Sequence, residues 1–334
     1  MLPSKPMLWL GAFVGFYRPT ADDVRQLDPI SKFLYSARSV ILVISAQAAL
    51  IAGLLAATDR RFDAGHFLLV LIGFVVAHMI SNLSNDYFGY RRGDDTPDSP
   101  RMRYTLHPVA SGVLDTRTLA GGILILAIIG LAIGAYFIVE HGWLAGSFFL
   151  VGVALLFAYD AAPTPLKNIG LGEFAVFLVW GPLMIGGGYA VIAGALSIQA
   201  LYVSIPYGLG VMSILVGKHI DQRDFDTSRR IGTLPALLGD RYARSFNLVT
   251  IVLMYVVTAA LIILGKLTPF AVLVVFALPR AIRALNVLRS PRPSAAPPDY
   301  VGWPLWFHRA CLVHNRLFGW LYVLGLAAGA VWPL

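Results

Sequence analysis

Nine stretches of about 20 predominantly apolar residues run through this chain, near 39–58, 66–85, 118–139, 142–159, 174–196, 199–217, 246–265, 267–288 and 317–334. That is the helix length needed to cross the hydrocarbon layer of a bilayer. Such runs leave too little polar sequence to build a water-facing exterior. Composition agrees: of 334 residues 57% are hydrophobic and 13% charged, where a soluble domain carries about a quarter charged residues. The period-two alternation of a membrane barrel is absent. The expected fold is all-α, a polytopic membrane protein built as a bundle of nine transmembrane helices. The eighth run is the weakest, because Arg280 and Arg283 interrupt it. A single cysteine, Cys311, rules out an intramolecular disulfide.

Residues 1–35 are set apart from the bundle, which occupies 36–334. The apolar piece from Pro6 to Tyr17 is too short to span, and it lacks a small-residue cleavage pattern. Trp9, Phe13, Phe16 and Tyr17, followed by Arg18, suit a helix lying at the membrane interface.

The net charge of +8 would suggest a nucleic-acid partner in a soluble protein. Here the positions of the charges explain it. With nine spans, all 26 Lys and Arg except Arg60, Arg61 and Lys266 fall on the side of the N-terminus. The positive-inside rule then places the N-terminus in the cytoplasm and supports an odd number of spans. No nucleic acid is needed to account for the basic excess.

That same face carries two acidic loops. After the second run comes SNLSNDYFGYRRGDDTPDSPRMRYTLHPVASG (81–112), and after the sixth GKHIDQRDFDTSRRIGTLPALLG (217–239). Asn82 and Asp86 are four apart, and Asp221 and Asp224 three apart, so each pair is expected on one helix face. Asp226 follows just beyond. Acids at a helix C-terminus oppose the macrodipole and call for compensation. Carboxylate clusters interleaved with Arg and Lys suit a Mg2+-bound diphosphate, which the metal holds through a few carboxylates and the phosphate oxygens. Transporter carboxylates would instead be expected near the midplane of broken helices.

The run SNLSNDYFGYRRGDDTPD resembles the first aspartate-rich motif of the UbiA superfamily of intramembrane prenyltransferases, and is most like its menaquinone-pathway branch, which acts on 1,4-dihydroxy-2-naphthoate. Asp226 to Gly239, ending GTLPALLG, is similar to the second motif and the residues after it. Tyr159-Asp160, Pro163, Pro165-Leu166-Lys167 and Gly170 to Glu173 resemble the loop between them. The resemblance spans roughly residues 36–265. Three positions depart from the pattern. Gly89 stands where a second first-motif Asp is common, with Asp94 or Asp95 as substitutes; Lys218-His219 stand near an expected Asn pair; His107-Pro108 replace an Arg-Pro.

The resemblance implies transfer of a polyprenyl group from an isoprenoid diphosphate to a small, aromatic acceptor, by ionisation of the allylic diphosphate within the membrane and with the active site facing the cytoplasm. It implies Mg2+ as cofactor, held by Asn82, Asp86, Asp95, Asp221, Asp224 and Asp226. It implies diphosphate contacts from Lys167, Arg91, Arg101 and Arg223, then Arg103, Arg229 and Arg230, with Tyr159 near the diphosphate or the allyl cation. Asp86, Asp95, Asp224, Lys167 and Tyr159 are the candidate catalytic set. Transfer to a non-aromatic acceptor and cyclisation of the prenyl chain are the enzymatic alternatives. No residue declares itself a general base; Glu173, His78 and His219 are candidates, while His66, His141 and His314 read as interfacial. Gly186, Gly187 and Gly188 read as a site of close helix packing, and residues 290–300 as a Pro-rich linker.

Overall fold

The computed structural model describes residues 4–14, 20–97, 99–300 and 302–332; Phe16, Tyr17, Arg18 and Asp98 lie outside the described residues. Three short helices come first: α1 (Lys5–Val14), α2 (Ala21–Arg25) and α3 (Pro29–Ser36). Nine helices among the described residues are long and apolar enough to cross a membrane. These are α4 (Ser39–Thr58), α5 (Ala64–Arg92), α6 (Thr116–His141), α7 (Trp143–Asp160), α8 (Gly172–Ala193), α9 (Ile198–Ser228), α10 (Asp240–Ile263), α11 (Pro269–Arg289) and α12 (Trp306–Val331). Every expected run is present, but three helices outrun their apolar cores. The second continues to Arg92, the sixth to Ser228, and the ninth starts at Trp306 rather than near 317. Arg316, His308 and His314 are therefore inside the last helix. His314 is buried and its Nε2 is hydrogen-bonded to the Tyr255 hydroxyl at 2.8 Å, which corrects its interfacial reading.

Capping fixes where the helices start. Asp63 and Asp115 each accept the backbone N–H three residues on, at 2.7 Å, at the N-termini of α5 and α6. α9 lies at the centre, packed against α8, α10 and α12. α6 and α7 are peripheral and turn Leu124, Ile125, Ile128, Leu131 and Leu150 outward, an apolar surface suited to lipid. The arginines of the eighth run point out of the bundle: Arg280 and Arg283, with Arg309, line a shallow groove between α11 and α12.

The triple glycine is a close-packing site. A Cβ on Gly187 would lie 2.8 Å from Phe148, and one on Gly188 3.0 Å from Ala52. Just before it, residues Val179–Gly186 form a π-helical stretch around Pro182, which has no N–H to give the ladder. The N-terminal helices pack onto the loop after α5. Leu8, Val24 and Leu27 cluster with Val113, and the Arg25 guanidinium donates to the Ser111 carbonyl at 2.7 Å.

Candidate active site

One end of the bundle gathers the loops after α5, α7 and α9. Gln222 Nε2 donates to the Tyr104 hydroxyl at 3.0 Å, and Arg229 Nη2 to Thr96 Oγ1 at 3.3 Å. The Gly232 N–H donates to the Asn168 carbonyl at 3.0 Å. Below this end a chamber of about 950 Å3 opens between the helices, lined chiefly by apolar side chains of α4 to α9 and α12. Gly11, Ala12, Val24 and Tyr35 of the N-terminal segment also line it.

Asp86 is fully buried at the edge of this end. Its Oδ1 accepts from Arg38 Nη2 at 2.9 Å and Arg101 Nε at 3.1 Å, and its Oδ2 from Arg101 Nη2 at 2.7 Å. Burial works against the Arg101 charge, but Asp86 outweighs it and raises the guanidinium pKa above its ordinary value. A carboxylate has about four lone-pair sites, so Oδ2 keeps one free. Asn82, four residues earlier, lines the chamber, and its Nδ2 donates to the Ala37 carbonyl at 3.0 Å.

Asp95 meets Asp86 because position 89 is glycine. A Cβ there would lie 2.3 Å from Asp95 Oδ2, so the Asp95 carboxylate occupies the space a side chain would need. Oxygens of Asp86 and Asp95 and a ring nitrogen of His107 all lie within 4.8 Å of one another. His107 Nδ1 accepts the Ala110 N–H at 3.2 Å, so the ring proton is on Nε2, which faces Asp95 Oδ2 at 3.4 Å. The approach is not a hydrogen bond: His107 Nε2 has no hydrogen-bond partner among the described residues, and its ring flanks the Asp95 carboxylate. The two carboxylates form the hard oxygen set that suits Mg2+.

The second acidic loop divides its acids among three tasks. Asp226 is buried, accepts from Thr233 Oγ1 at 3.0 Å, and lies within electrostatic reach of Lys218, His219 and Glu173. Asp221 is buried away from it, taking the Phe307 and His308 N–H groups at 3.1 and 2.9 Å and so capping the start of α12. Asp224 points outward, with its side chain 80% exposed and held by Arg223. Three residues apart, Asp221 and Asp224 are not brought together, because the helix end is buried on one side only.

Sequence reasoning missed several partners. Arg38, at the start of α4, supplies the second guanidinium on Asp86. Buried Glu173 and His219 pair at 2.6 Å, and Glu173 Oε2 has no hydrogen-bond partner, an orphan suited to a cation. Asp160 receives Lys167 Nζ at 2.7 Å and Asn85 Nδ2 at 3.1 Å, while Arg92 donates to its carbonyl at 2.6 Å. The signal for Asn85 was its place three residues from Asn82. For Arg38 only the fold supplies it; Glu173 and His219 stood as separate candidates, and the fold shows that they pair. Tyr159 lines the chamber, as do Arg38, Asn85 and Lys218. Gly172 lets the Lys167 backbone approach, since a Cβ there would lie 2.8 Å from Lys167 Cα. Arg91 is exposed and bonds the Tyr87 hydroxyl at 3.3 Å, and Arg103 and Arg230 are also exposed. Arg223 reaches Asp224 and Asp240 instead of the chamber. Arg316 sits ten residues into α12 on the chamber wall, with no acidic partner among the described residues.

The sequence pattern of the UbiA prenyltransferase family matches residues 46–308. The chain belongs to that family. It is an integral, multi-pass membrane protein and a prenyltransferase by descent. A 1,4-dihydroxy-2-naphthoate octaprenyltransferase of Bacillus subtilis (strain 168) is 25% identical over 224 residues, 66% of this chain and 70% of the relative. Among solved structures, a UbiA homolog from Aeropyrum pernix K1 superposes with a TM-score of 0.62 at 16% identity, covering 86% of this chain and 96% of that one. A UbiA homolog from Archaeoglobus fulgidus, bound to GPP and Mg2+, gives 0.59 at 14% identity, covering 89% and 99%. These structural likenesses establish that the fold is shared.

Proposed function

We propose that this UbiA-family chain transfers a polyprenyl group from its diphosphate to a small aromatic acceptor similar to 1,4-dihydroxy-2-naphthoate, with Mg2+ and with the polar end of the bundle facing the cytoplasm. One observation carries the reading: Asp86 with Asp95, and Asp226 with Glu173, sit at the end of the bundle where Asn82, Asn85, Tyr159 and Lys218 line an apolar chamber. The relatives named as naphthoate prenyltransferases support the acceptor class, and positive charge on that face supports the orientation. The N-terminal segment, with Trp9 and Phe13 exposed, is assigned to the membrane interface on the same side.

Asp86 and Asp95 would hold the metal on the first loop, and Asp226 with Glu173 would do so opposite. Mg2+ bound there would neutralise charge that builds on the departing diphosphate. Lys218 on the chamber wall, and Lys167 beside Asp160, would offer N–H donors to the same oxygens. The C–O bond breaks with its electron pair leaving on the diphosphate. The allyl cation then lies among apolar walls that exclude water, with the Tyr159 ring on the chamber wall. A ring carbon of the acceptor attacks to form the new C–C bond, and the proton on that carbon passes to the released diphosphate.

The test is direct. Purified protein is incubated with geranylgeranyl or octaprenyl diphosphate and a panel of aromatic and non-aromatic acceptors, and products are identified by mass. Prenylated naphthoate that vanishes on chelation and returns with Mg2+ is the expected result. Diphosphate release without acceptor would replace transfer by cyclisation. No turnover with any pair would overturn the proposal.

A further inference from the structure

Deeper in the chamber, away from the acidic centres, Ser45 of α4, His78 of α5 and Trp180 of α8 meet on the wall. Trp180 Nε1–H donates to Ser45 Oγ at 3.2 Å. An indole only donates, so Ser45 keeps its own proton for another acceptor. His78 Nδ1 lies 2.9 Å away, and we assign it as that acceptor. A histidine accepting at Nδ1 carries its proton at Nε2. The imidazole also lies edge-on to Trp180, with ring centroids 5.0 Å apart at 76°. With that assignment the ring proton is at Nε2, and the Trp180 contact holds the ring plane. His78 Nε2 has no partner among the described residues, and it is not among the unpartnered polar atoms sealed inside protein. Its N–H opens onto the chamber.

The position gives that N–H a meaning. His78 lies eight residues before Asp86 on one helix, about 12 Å deeper at 1.5 Å per residue. An N–H left facing hydrocarbon is unfavourable, and a prenyl chain has no atom to accept it. The π-helical stretch that carries Trp180 is also a local departure of the kind found at functional sites. We infer that His78 is the acceptor-binding donor of this enzyme. Its Nε2–H receives an oxygen of the acceptor, a hydroxyl, carbonyl or carboxylate on an aromatic ring, and fixes the ring beneath the ionising carbon. Trp180 and Ser45 act through His78 as positioning residues. A chamber that only folds a hydrocarbon chain has no use for such a donor, so the site favours transfer over cyclisation. The inference rests on the prenyl-transfer reading.

The experiment compares wild type with His78→Phe, His78→Gln and Ser45→Ala, using geranylgeranyl diphosphate, 1,4-dihydroxy-2-naphthoate and Mg2+. Phe keeps the ring packing without the donor, while Gln keeps an N–H of similar reach. His78→Phe is expected to raise the acceptor KM about tenfold and leave the KM for the diphosphate unchanged. Gln should recover most of that loss, and Ser45→Ala should show a smaller shift in the same direction. Stabilisation against heat by the naphthoate alone should weaken in parallel. An unchanged acceptor KM in His78→Phe, equal effects on both substrates, or Gln no better than Phe would overturn the inference. If His78→Phe does not fold, Gln and Ser45→Ala carry the comparison. A wild type that turns over no acceptor sinks the transfer reading itself, while the heat measurement still reports whether His78 binds the aromatic acid.

Discussion

Asp86 shows how one carboxylate can be tied structurally and still keep a role in chemistry. Arg38 and Arg101 take three of its lone-pair sites, and both guanidiniums are oriented by it. Asp86→Asn would leave two cations facing a neutral amide in a buried place. A loss of about 3–5 kcal/mol in stability is expected, together with loss of turnover, read from thermal melts and the product assay. Stability alone would not assign Asp86 to the metal, so the sharper probe is its neighbour. Gly89→Ala places a methyl group where Asp95 Oδ2 now sits and removes nothing from the Asp86 ion pairs. Alanine also favours helix over glycine. The variant should therefore melt no lower than wild type, while the Mg2+ concentration for half-maximal activity rises about tenfold, the scale seen when a metal ligand's support is disturbed. Unchanged Mg2+ dependence would remove Asp95 from the metal site. Neither pairing was legible in sequence beyond the proximity of 86, 89 and 95. The glycine marked a missing side chain, and only the fold shows which carboxylate fills its place.

Helices in this bundle start and end according to what covers their ends, and hydropathy reads only the lipid-facing middle. That is why the nine runs were legible while the extensions of α5, α9 and the start of α12 were not. Their polar residues are buried against other loops, where a hydropathy window sees nothing apolar. Asp221 is the clearest instance. Its spacing from Asp224 suggested a shared cluster, yet it caps α12 from another helix. Asp221→Ala should lower the melting temperature, because two backbone N–H groups lose their acceptor at about 1–3 kcal/mol, while the Mg2+ dependence of the remaining activity stays as in wild type. A shifted Mg2+ dependence would return Asp221 to the metal site. Asp115, at the start of α6, gives a pH-dependent counterpart. The Thr118 backbone N–H lowers its carboxyl pKa from the usual 3.8. A carboxyl lowered by folding stabilises fully above its unfolded pKa, and that contribution is lost as pH falls through the folded value. The wild type should melt higher than Asp115→Ala at pH 7, with the gap closing below about pH 4. A gap that persists in acid would mean the cap acts without its charge.

For the whole molecule the open quantity is which way the bundle sits. The polar end holds the acidic centres and almost all of the basic residues, while Arg60, Arg61 and Lys266 lie at the other end. Positive loops are retained in the cytoplasm, so diphosphate and acceptor would both reach the chamber mouth from inside the cell. The chain offers a convenient label, since Cys311 is its single cysteine and is fully buried. With Cys311 replaced by serine, cysteines are introduced singly at Arg103, exposed at the polar end, and at Arg61, exposed at the other. A membrane-impermeant maleimide added to intact cells should label Arg61→Cys and spare Arg103→Cys until the membrane is permeabilised. The reverse pattern would turn the active site outward and require both substrates to come from outside. Arg61 lies between α4 and α5 and Arg103 on the loop after α5, so one experiment reads both sides of α5. It also separates two meanings of the basic excess. Charges that set topology should tolerate exchange of Arg103 for lysine, whereas a guanidinium holding a diphosphate in two-point contact should not.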